Sequence, residues 1–193
     1  MKYFIGILIV LSISITTVFP QNIKEDAITK IVRRLFSYEQ SFDRGFAYQA
    51  WCRSWNFIGA TLSKDSTLDI TLTYDEKYHN YIMYQSVPIK NYYHMVSFNA
   101  ILNNARLIQK KVETFRRIRI FFVLFSDVRD RYGNLEKNEK TIICKVELLK
   151  VSIDKMNWKY IDQLLHDTFM TGSNIEPFTT LLDDFYFNPQ LTH

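Results

Sequence analysis

The sequence predicts an α+β fold: a small mixed or antiparallel β-sheet with helices on one face, placed after an N-terminal signal or anchor segment. Residues 67–74 alternate apolar and polar side chains, which is typical of a strand with one buried face. Residues 94–116 carry apolar side chains at three- and four-residue spacing, which indicates an amphipathic helix. Residues 117–126 and 140–153 are rich in strand formers and flank a Tyr-Gly-Asn turn at 132–134, so they predict a hairpin.

The remaining elements are predicted from the same kinds of pattern. Residues 23–48 have helical spacing, and residues 46–55 are expected to continue as a further turn or short helix. Residues 81–87 are a candidate strand, and residues 156–170 and 177–182 are predicted to be helical. Helices that cover one face of a small sheet are the most economical arrangement of these elements.

The first 21 residues form a candidate export segment. Lys2 gives a positive start and residues 3–19 carry no charged side chain, which is the pattern of a signal peptide. This uncharged run of 17 residues is close to the minimum length of a membrane span, so a cleaved signal and a retained anchor both remain open. Either interpretation places residues 22–193, a single domain, outside the cytosol, as a periplasmic or secreted protein.

Cys52 and Cys144 are the two cysteines of the chain. In an exported protein they are a candidate disulfide, which would close a long loop and stabilise the fold. The alternative is that both are buried as small apolar side chains. Cys144 shares a predicted strand face with Ile142, Val146 and Leu148, which favours an interior position for it.

Six tyrosines crowd a stretch of 20 residues. Tyrosine is a rigid amphipathic residue that is favoured at interfaces, so this stretch predicts a binding face for a carbohydrate or peptide. The alternative is a compositional bias that raises Tyr, Phe, Ile, Asn and Lys together along the whole chain. The candidate binding residues are Tyr74, Tyr78, Tyr81, Tyr84, Tyr92 and Tyr93.

Charge is distributed unevenly, although the net formal charge is only +4. Residues 105–131 contain eight basic and three acidic side chains, whereas residues 160–193 contain no Lys or Arg and five acidic side chains. The basic segment could attract anionic polymers such as lipid headgroups or wall polymers. Alternatively, the two segments meet each other within the fold.

Motifs for catalysis and cofactor binding are lacking in the sequence. It contains no phosphate-binding loop, dinucleotide fingerprint, nucleophile elbow or paired-histidine zinc motif, and only five glycines to build a backbone cradle. We therefore expect no cofactor and no metal.

Three weaker candidates for chemistry each have a structural alternative. Asp127 with Asp130 could act as acid and base, but the alternating charges around them are typical of a solvated hairpin tip. His166 beside Asp167 could be a polarised base or an ordinary residue on a helix surface. Three carboxylates near the C-terminus could bind calcium, but the regular ligand loop is absent. These are Glu176, Asp183 and Asp184.

The last third of the chain resembles the C-terminal part of certain small exported bacterial domains of uncharacterised function. The resemblance rests on residues 130–134 (Asp-Arg-Tyr-Gly-Asn), on the returning strand, and on two later segments, Met156-Asn157-Trp158 and Phe187-Asn188-Pro189. It implies no activity and assigns no role to any residue.

Together these observations predict a non-enzymatic exported cell-envelope protein, an accessory or binding module that contacts a protein partner. One alternative is an inhibitor or immunity-type protein that blocks a partner enzyme in the periplasm. Another is a hydrolase whose site is assembled from scattered residues such as Asp127, Asp130 and His166. No nucleic-acid partner is expected, and membrane contact is expected through residues 3–19 if they are not cleaved.

Overall fold

The structure is a computed structural model that describes residues 26–37, 52–75, 89–129, 131–171 and 176–191. The candidate export segment and the candidate strand at 81–87 lie outside the described residues, so those two expectations stay predictions.

Five strands form one mixed sheet in the order β1-β2-β3-β4-β5. The central strands β2 and β3 are parallel, and the other three neighbouring pairs are antiparallel. The strands are β1 Trp55–Leu62, β2 Thr67–Tyr74, β3 Arg117–Arg129, β4 Leu135–Leu149 and β5 Asp184–Phe187. Since helices pack against this sheet, the predicted α+β fold class is confirmed.

The described residues contain five α-helices and a final 3₁₀ turn at Pro189–Leu191. The second helix supplies the crossover that a parallel pair such as β2 and β3 requires. The helices are α1 Ala27–Phe36, α2 Ile89–Lys111, α3 Lys150–Lys155, α4 Trp158–Thr171 and α5 Glu176–Thr179. No helix among the described residues combines the length and the apolar character needed to cross a bilayer.

The core lies between α2 and one face of the sheet. The apolar stripe predicted on the long helix is buried along its whole length, from Met95 to Phe115. The inward side chains of β2 are completely buried, as their alternation predicted. All five helices contribute to the same cluster. The inward residues of the three central strands are Leu68, Ile70, Leu72, Ile118, Ile120, Phe122, Cys144, Val146 and Leu148.

The β3–β4 hairpin is longer than the sequence predicts. Pairing continues outward to Arg129 and Leu135, so the connection is residues 130–134 and not the ten or more expected. Gly133 occupies the turn with φ +85°, a conformation that side chains with a Cβ rarely adopt. At the other end β4 stops at Leu149, and the residues that follow form α3 instead of continuing as strand.

Helix α1 is shorter than predicted. Asp26 caps its start by accepting a hydrogen bond from the Thr29 backbone N–H at 2.7 Å. The helix ends at Phe36, because Ser37 is extended and its N–H and hydroxyl both donate to the Arg34 carbonyl. The rest of the predicted range, residues 38–48, lies outside the described residues.

Strands β1 and β5 were not predicted from the sequence. In β1 the register shifts between Phe57 and Gly59, so the apolar alternation that marks a strand is broken by a bulge. The prediction of a helical turn running to Trp55 is therefore wrong at that residue, which begins a strand. Strand β5 has four residues, too few for a periodic pattern to be recognised.

Candidate functional site

A groove of about 420 Å³ opens where β1, β2 and β3 meet at one end of the sheet. Its floor is a row of side chains across neighbouring strands: Asn56 pairs with Thr73, and Thr73 pairs with Val123. Val123 is buried but lies outside the main core cluster, so it belongs to the sheet face turned away from the helices. Among the described residues, the lining is Asn56, Thr73, Tyr74, Asp75, Val123, Leu124 and Phe125.

Four large apolar side chains in and beside this groove are partly exposed. Leu124 and Phe125 line it, Ile142 pairs with Val123 at its floor, and Ile58 occupies the bulge of β1. Between 40% and 48% of each of these four side chains is exposed. We call them the apolar rim. Grouped apolar exposure of this kind marks an interaction site more often than single exposed residues do.

The same sheet face is charged toward its other end. Arg119 donates two hydrogen bonds to Asp69, at 2.6 and 2.8 Å, and this contact raises the pKa of Arg119. Arg117 lies 3.2 Å from the Glu147 carboxylate. The two basic residues therefore pair with carboxylates outside the acidic segment 160–193, and this half of the face is largely neutralised.

The described members of the tyrosine cluster pack together instead of forming one exposed face. The ring of Tyr74 lies 4.4 Å from that of Tyr93 and 4.6 Å from that of Phe122. Tyr92 is 1% exposed, so it offers a partner almost no surface. Of the three tyrosines in this set that the structure describes, Tyr74 also lines the groove. Tyr78, Tyr81 and Tyr84 lie outside the described residues.

The Tyr74 hydroxyl lies in a polar pocket inside the core. It lies 3.0 Å from Ser97 Oγ, and the Ser97 hydroxyl in turn donates to the Tyr93 carbonyl at 2.7 Å. Burial, reinforced by the nearby Cys144 thiol, raises the pKa of Tyr74 well above its ordinary value. The hydroxyl therefore stays protonated and serves as a hydrogen-bonding group, not as a base.

Cys52 and Cys144 are both buried, and no bond joins them in the structure. Cys144 faces the core on β4, opposite Phe122, which is the interior position that its strand pattern favoured. Burial raises the pKa of the Cys144 thiol to about 12. A thiol that remains protonated at neutral pH is a poor nucleophile, so Cys144 acts as a small core side chain.

We expect Ellman's reagent to modify neither cysteine of the native protein and both cysteines after unfolding in guanidinium without reductant. Burial keeps the reagent from both thiols in the folded state. Because the structure contains no disulfide, both thiols should react once the chain is unfolded. Mass spectrometry of the labelled chain counts the thiols. A chain that yields none after unfolding, and two once a reductant is added, would establish the disulfide instead.

His94 is the most unusual polar side chain of the core. It is 5% exposed, and neither ring nitrogen has a hydrogen-bond partner among the described residues. The rings of Phe185 and Phe187 each lie 4.8 Å away and nearly perpendicular to it. Burial, aided by the charge of Lys90, lowers the pKa of His94 to about 4. The imidazole is therefore neutral at pH 7 and is enclosed by phenyl rings.

The other candidates for catalysis or metal binding are not assembled into a site among the described residues. His166 lies 3.4 Å from Asp167 on an exposed helix surface. Asp183 accepts hydrogen bonds from the Leu149 N–H and the Ser152 hydroxyl, and Asp184 pairs with Lys145. In the part of the chain that the structure describes, no three His, Cys, Asp or Glu side chains converge as metal ligands. The side chains of Asp127, Asp130 and Glu176 lie outside it.

Comparisons of the chain with protein-family models, with curated proteins and with solved structures find no match. The groove therefore has to be interpreted from its own residues. The part of its lining that the structure describes offers amide, hydroxyl, carboxylate and apolar groups, which can bind a partner.

Apart from Tyr74, the groove residues were not predicted. Their strands are distant in the sequence, and β1 was not recognised at all. One signal was present: residues 121–125 are five consecutive apolar side chains, which a strand with one polar face cannot contain. Such a run requires that apolar groups face both sides of the sheet.

Proposed function

We propose that this protein is a non-enzymatic, exported cell-envelope protein that acts as an accessory module by binding a protein partner in the groove. The observation that carries the proposal is the apolar rim, four large side chains between 40% and 48% exposed in and beside a groove whose floor is Asn56, Thr73 and Val123. Export is supported by the uncharged N-terminal run of residues 3–19.

The chemistry of the groove favours a protein as its occupant. Interfaces between proteins combine apolar contact area with a few polar groups that fix the register of the partner. Here Leu124 and Phe125 supply the apolar contact, while Asn56, Thr73 and Asp75 supply hydrogen-bonding groups beside them. Ile58 and Ile142 extend the apolar surface beyond the groove on the flanking strands.

A photocrosslinker placed at Phe125 tests the proposal in the cells that make the protein. We expect a covalent adduct of one discrete mass when residue 125 carries the crosslinker, and none when the exposed Tyr160 carries it on α4. A second substitution, Leu124→Asp, places a charge in the apolar contact and should reduce the adduct about tenfold or more, since a buried unpaired charge costs several kcal/mol.

The matched control is Tyr160→Asp, which introduces the same charge at an exposed aromatic position away from the groove. It should leave the adduct at residue 125 unchanged. The far-ultraviolet circular dichroism of both variants must match that of the parent protein. Equal crosslinking at residues 125 and 160, or an adduct that is insensitive to Leu124→Asp, would refute a specific partner in the groove.

A further inference from the structure

The end of the sheet opposite the groove collects three chain segments that are far apart in the sequence. The Arg116 N–H donates to the Ser66 carbonyl at 2.8 Å, which joins the β1–β2 turn to the link between α2 and β3. The Lys150 N–H donates to the Arg116 carbonyl at 2.8 Å, which adds the start of α3. Residues 63–66, residues 110–116 and Lys150 therefore form one continuous end of the domain.

This end is basic. The three segments contain five cations and two carboxylates, Asp65 and Glu113. Two further carboxylates border them: Asp183 accepts from the Leu149 N–H, and Asp26 caps the start of α1. Asp65 accepts hydrogen bonds from the hydroxyls of Ser63 and Thr67, so part of its acceptor capacity is used within the turn. We call this surface the basic end. Its cations, all exposed except the half-buried Lys150, are Lys64, Lys110, Lys111, Arg116 and Lys150.

The chain also enters the domain at the basic end. The Thr29 hydroxyl, in the first turn of α1, donates to the Ala60 carbonyl at 2.7 Å, near the end of β1. At the other end of α1, the Phe36 carbonyl accepts from the Trp55 indole N–H at 3.2 Å, at the start of β1. Helix α1 thus runs antiparallel to β1, and its first residues lie beside the strand end that leads into the turn at 63–66.

A short stretch of chain separates this entry point from the uncharged N-terminal run. Residues 20–25 lie between residue 19 and the helix cap Asp26. Six residues span at most about 20 Å even when fully extended. If residues 3–19 remain in a bilayer, the basic end is therefore the part of the domain held closest to its surface.

We propose that the basic end lies against an anionic lipid bilayer in which residues 3–19 are retained as an anchor. Clustered lysine and arginine side chains next to a membrane anchor are attracted by acidic lipid headgroups, and the attraction acts within a Debye length of about 10 Å. A tether of at most about 20 Å allows the five cations to come within this range. The proposal concerns a different surface from the groove and does not depend on what the groove binds.

In this orientation the groove lies at the end of the domain that is farther from the membrane. Strand β2 begins at Thr67 beside the basic end and reaches Tyr74 in the groove lining. Eight residues of strand extend about 25 Å. With its basic end on the lipid, the domain holds the groove and the apolar rim away from the membrane, open to a partner.

Lysine acetylation of the full-length chain in vesicles tests the proposal. The protein is reconstituted in phosphatidylcholine vesicles with and without phosphatidylglycerol, and acetylation of each lysine is followed by mass spectrometry. In the anionic vesicles, Lys64, Lys110 and Lys111 should react about fivefold more slowly than in the neutral ones. Lys140, exposed on β4 opposite Phe125 at the groove end, should react equally in both. About 0.5 M NaCl should abolish the difference.

The double substitution Lys110→Glu and Lys111→Glu should remove the protection of Lys64, whereas the matched control Lys140→Glu should keep it. Equal acetylation of Lys64 in both kinds of vesicle would overturn the proposal, as would protection of Lys140 to the same degree. A chain released from the vesicles by alkaline carbonate would also overturn it, because residues 3–19 would then not be an anchor. None of these outcomes changes the crosslinking expected in the groove.

Discussion

Replacing Phe122 with alanine is expected to lower the free energy of unfolding by about 3–5 kcal/mol, the usual cost of deleting a buried phenyl ring. Phe122 is completely buried at the centre of the sheet, where it pairs with Leu72 of β2 and with Cys144 of β4. Its ring also stacks on Tyr74 with 4.6 Å between the ring centroids. Urea unfolding followed by circular dichroism measures the loss.

The matched control is Phe125→Ala, three residues further along the same strand. Because 48% of Phe125 is exposed, its truncation should cost less than about 1 kcal/mol. The pair thus separates a phenylalanine that stabilises the core from one that is available to a partner. Comparable losses at the two positions would show that Phe125 is covered in solution and would remove the main support for the groove as a binding site.

The stability of the protein is expected to fall by about 2 kcal/mol between pH 7.5 and pH 5, and by about 3 kcal/mol by pH 4, on account of His94 alone. The pKa of His94 is lowered from 6.5 to about 4 in the folded state. The unfolded chain therefore binds a proton between these pH values that the folded chain does not bind. The contribution is fully present above pH 6.5 and is lost as the pH falls toward 4.

The substitution His94→Phe should remove this pH dependence, because a phenyl ring fills the same aromatic surroundings without a titrating group. His166→Phe, at an exposed position, should leave it intact. Urea unfolding at a series of pH values measures both variants. The carboxylates of Asp26, Asp65 and Asp184 have lowered pKa values, so the stability that they contribute is lost only below about pH 5, and the fall between pH 7.5 and pH 5 reports on His94.

If the parent protein and His94→Phe lose stability in parallel between pH 6.5 and pH 4, the imidazole is solvated or hydrogen-bonded in solution. The same conclusion would follow if the parent protein lost stability only below pH 4. Either outcome would show that His94 is not enclosed by Phe98, Phe185 and Phe187 as described.

Several elements could be predicted from local pattern alone. The bounds of β2 match the predicted alternation, and α4 overlaps the helix predicted at residues 156–170. The long helix is confirmed but shifted, because it runs from Ile89 to Lys111. Val112 and Phe115 follow the helix and are still buried. A pattern of burial shows which side chains face the core, but it does not show where the helical hydrogen bonds stop.

The tyrosine stretch shows why sequence proximity was a poor guide to the site. Tyr92 and Tyr93 are adjacent in α2, and their rings pack with that of Tyr74 from β2. The contact between α2 and β2 packs together the tyrosine rings that composition alone suggested as a binding surface. Phe125 is 48% exposed and lines the groove, but it was not among the predicted binding residues.

The sequence by itself determined the class of fold, the inward face of β2, the apolar stripe of α2 and the β3–β4 hairpin. These features depend on the 2.0- and 3.6-residue periods of neighbouring side chains, which are visible in any short segment. Only the tertiary structure decided that β2 lies parallel to β3, which brings Thr73 beside Val123 and creates the groove. It also decided that His94 is enclosed by β5 and that the basic end adjoins the start of α1. Such pairings depend on backbone hydrogen bonds and packing between segments far apart in the chain, and local periodicity carries no information about them.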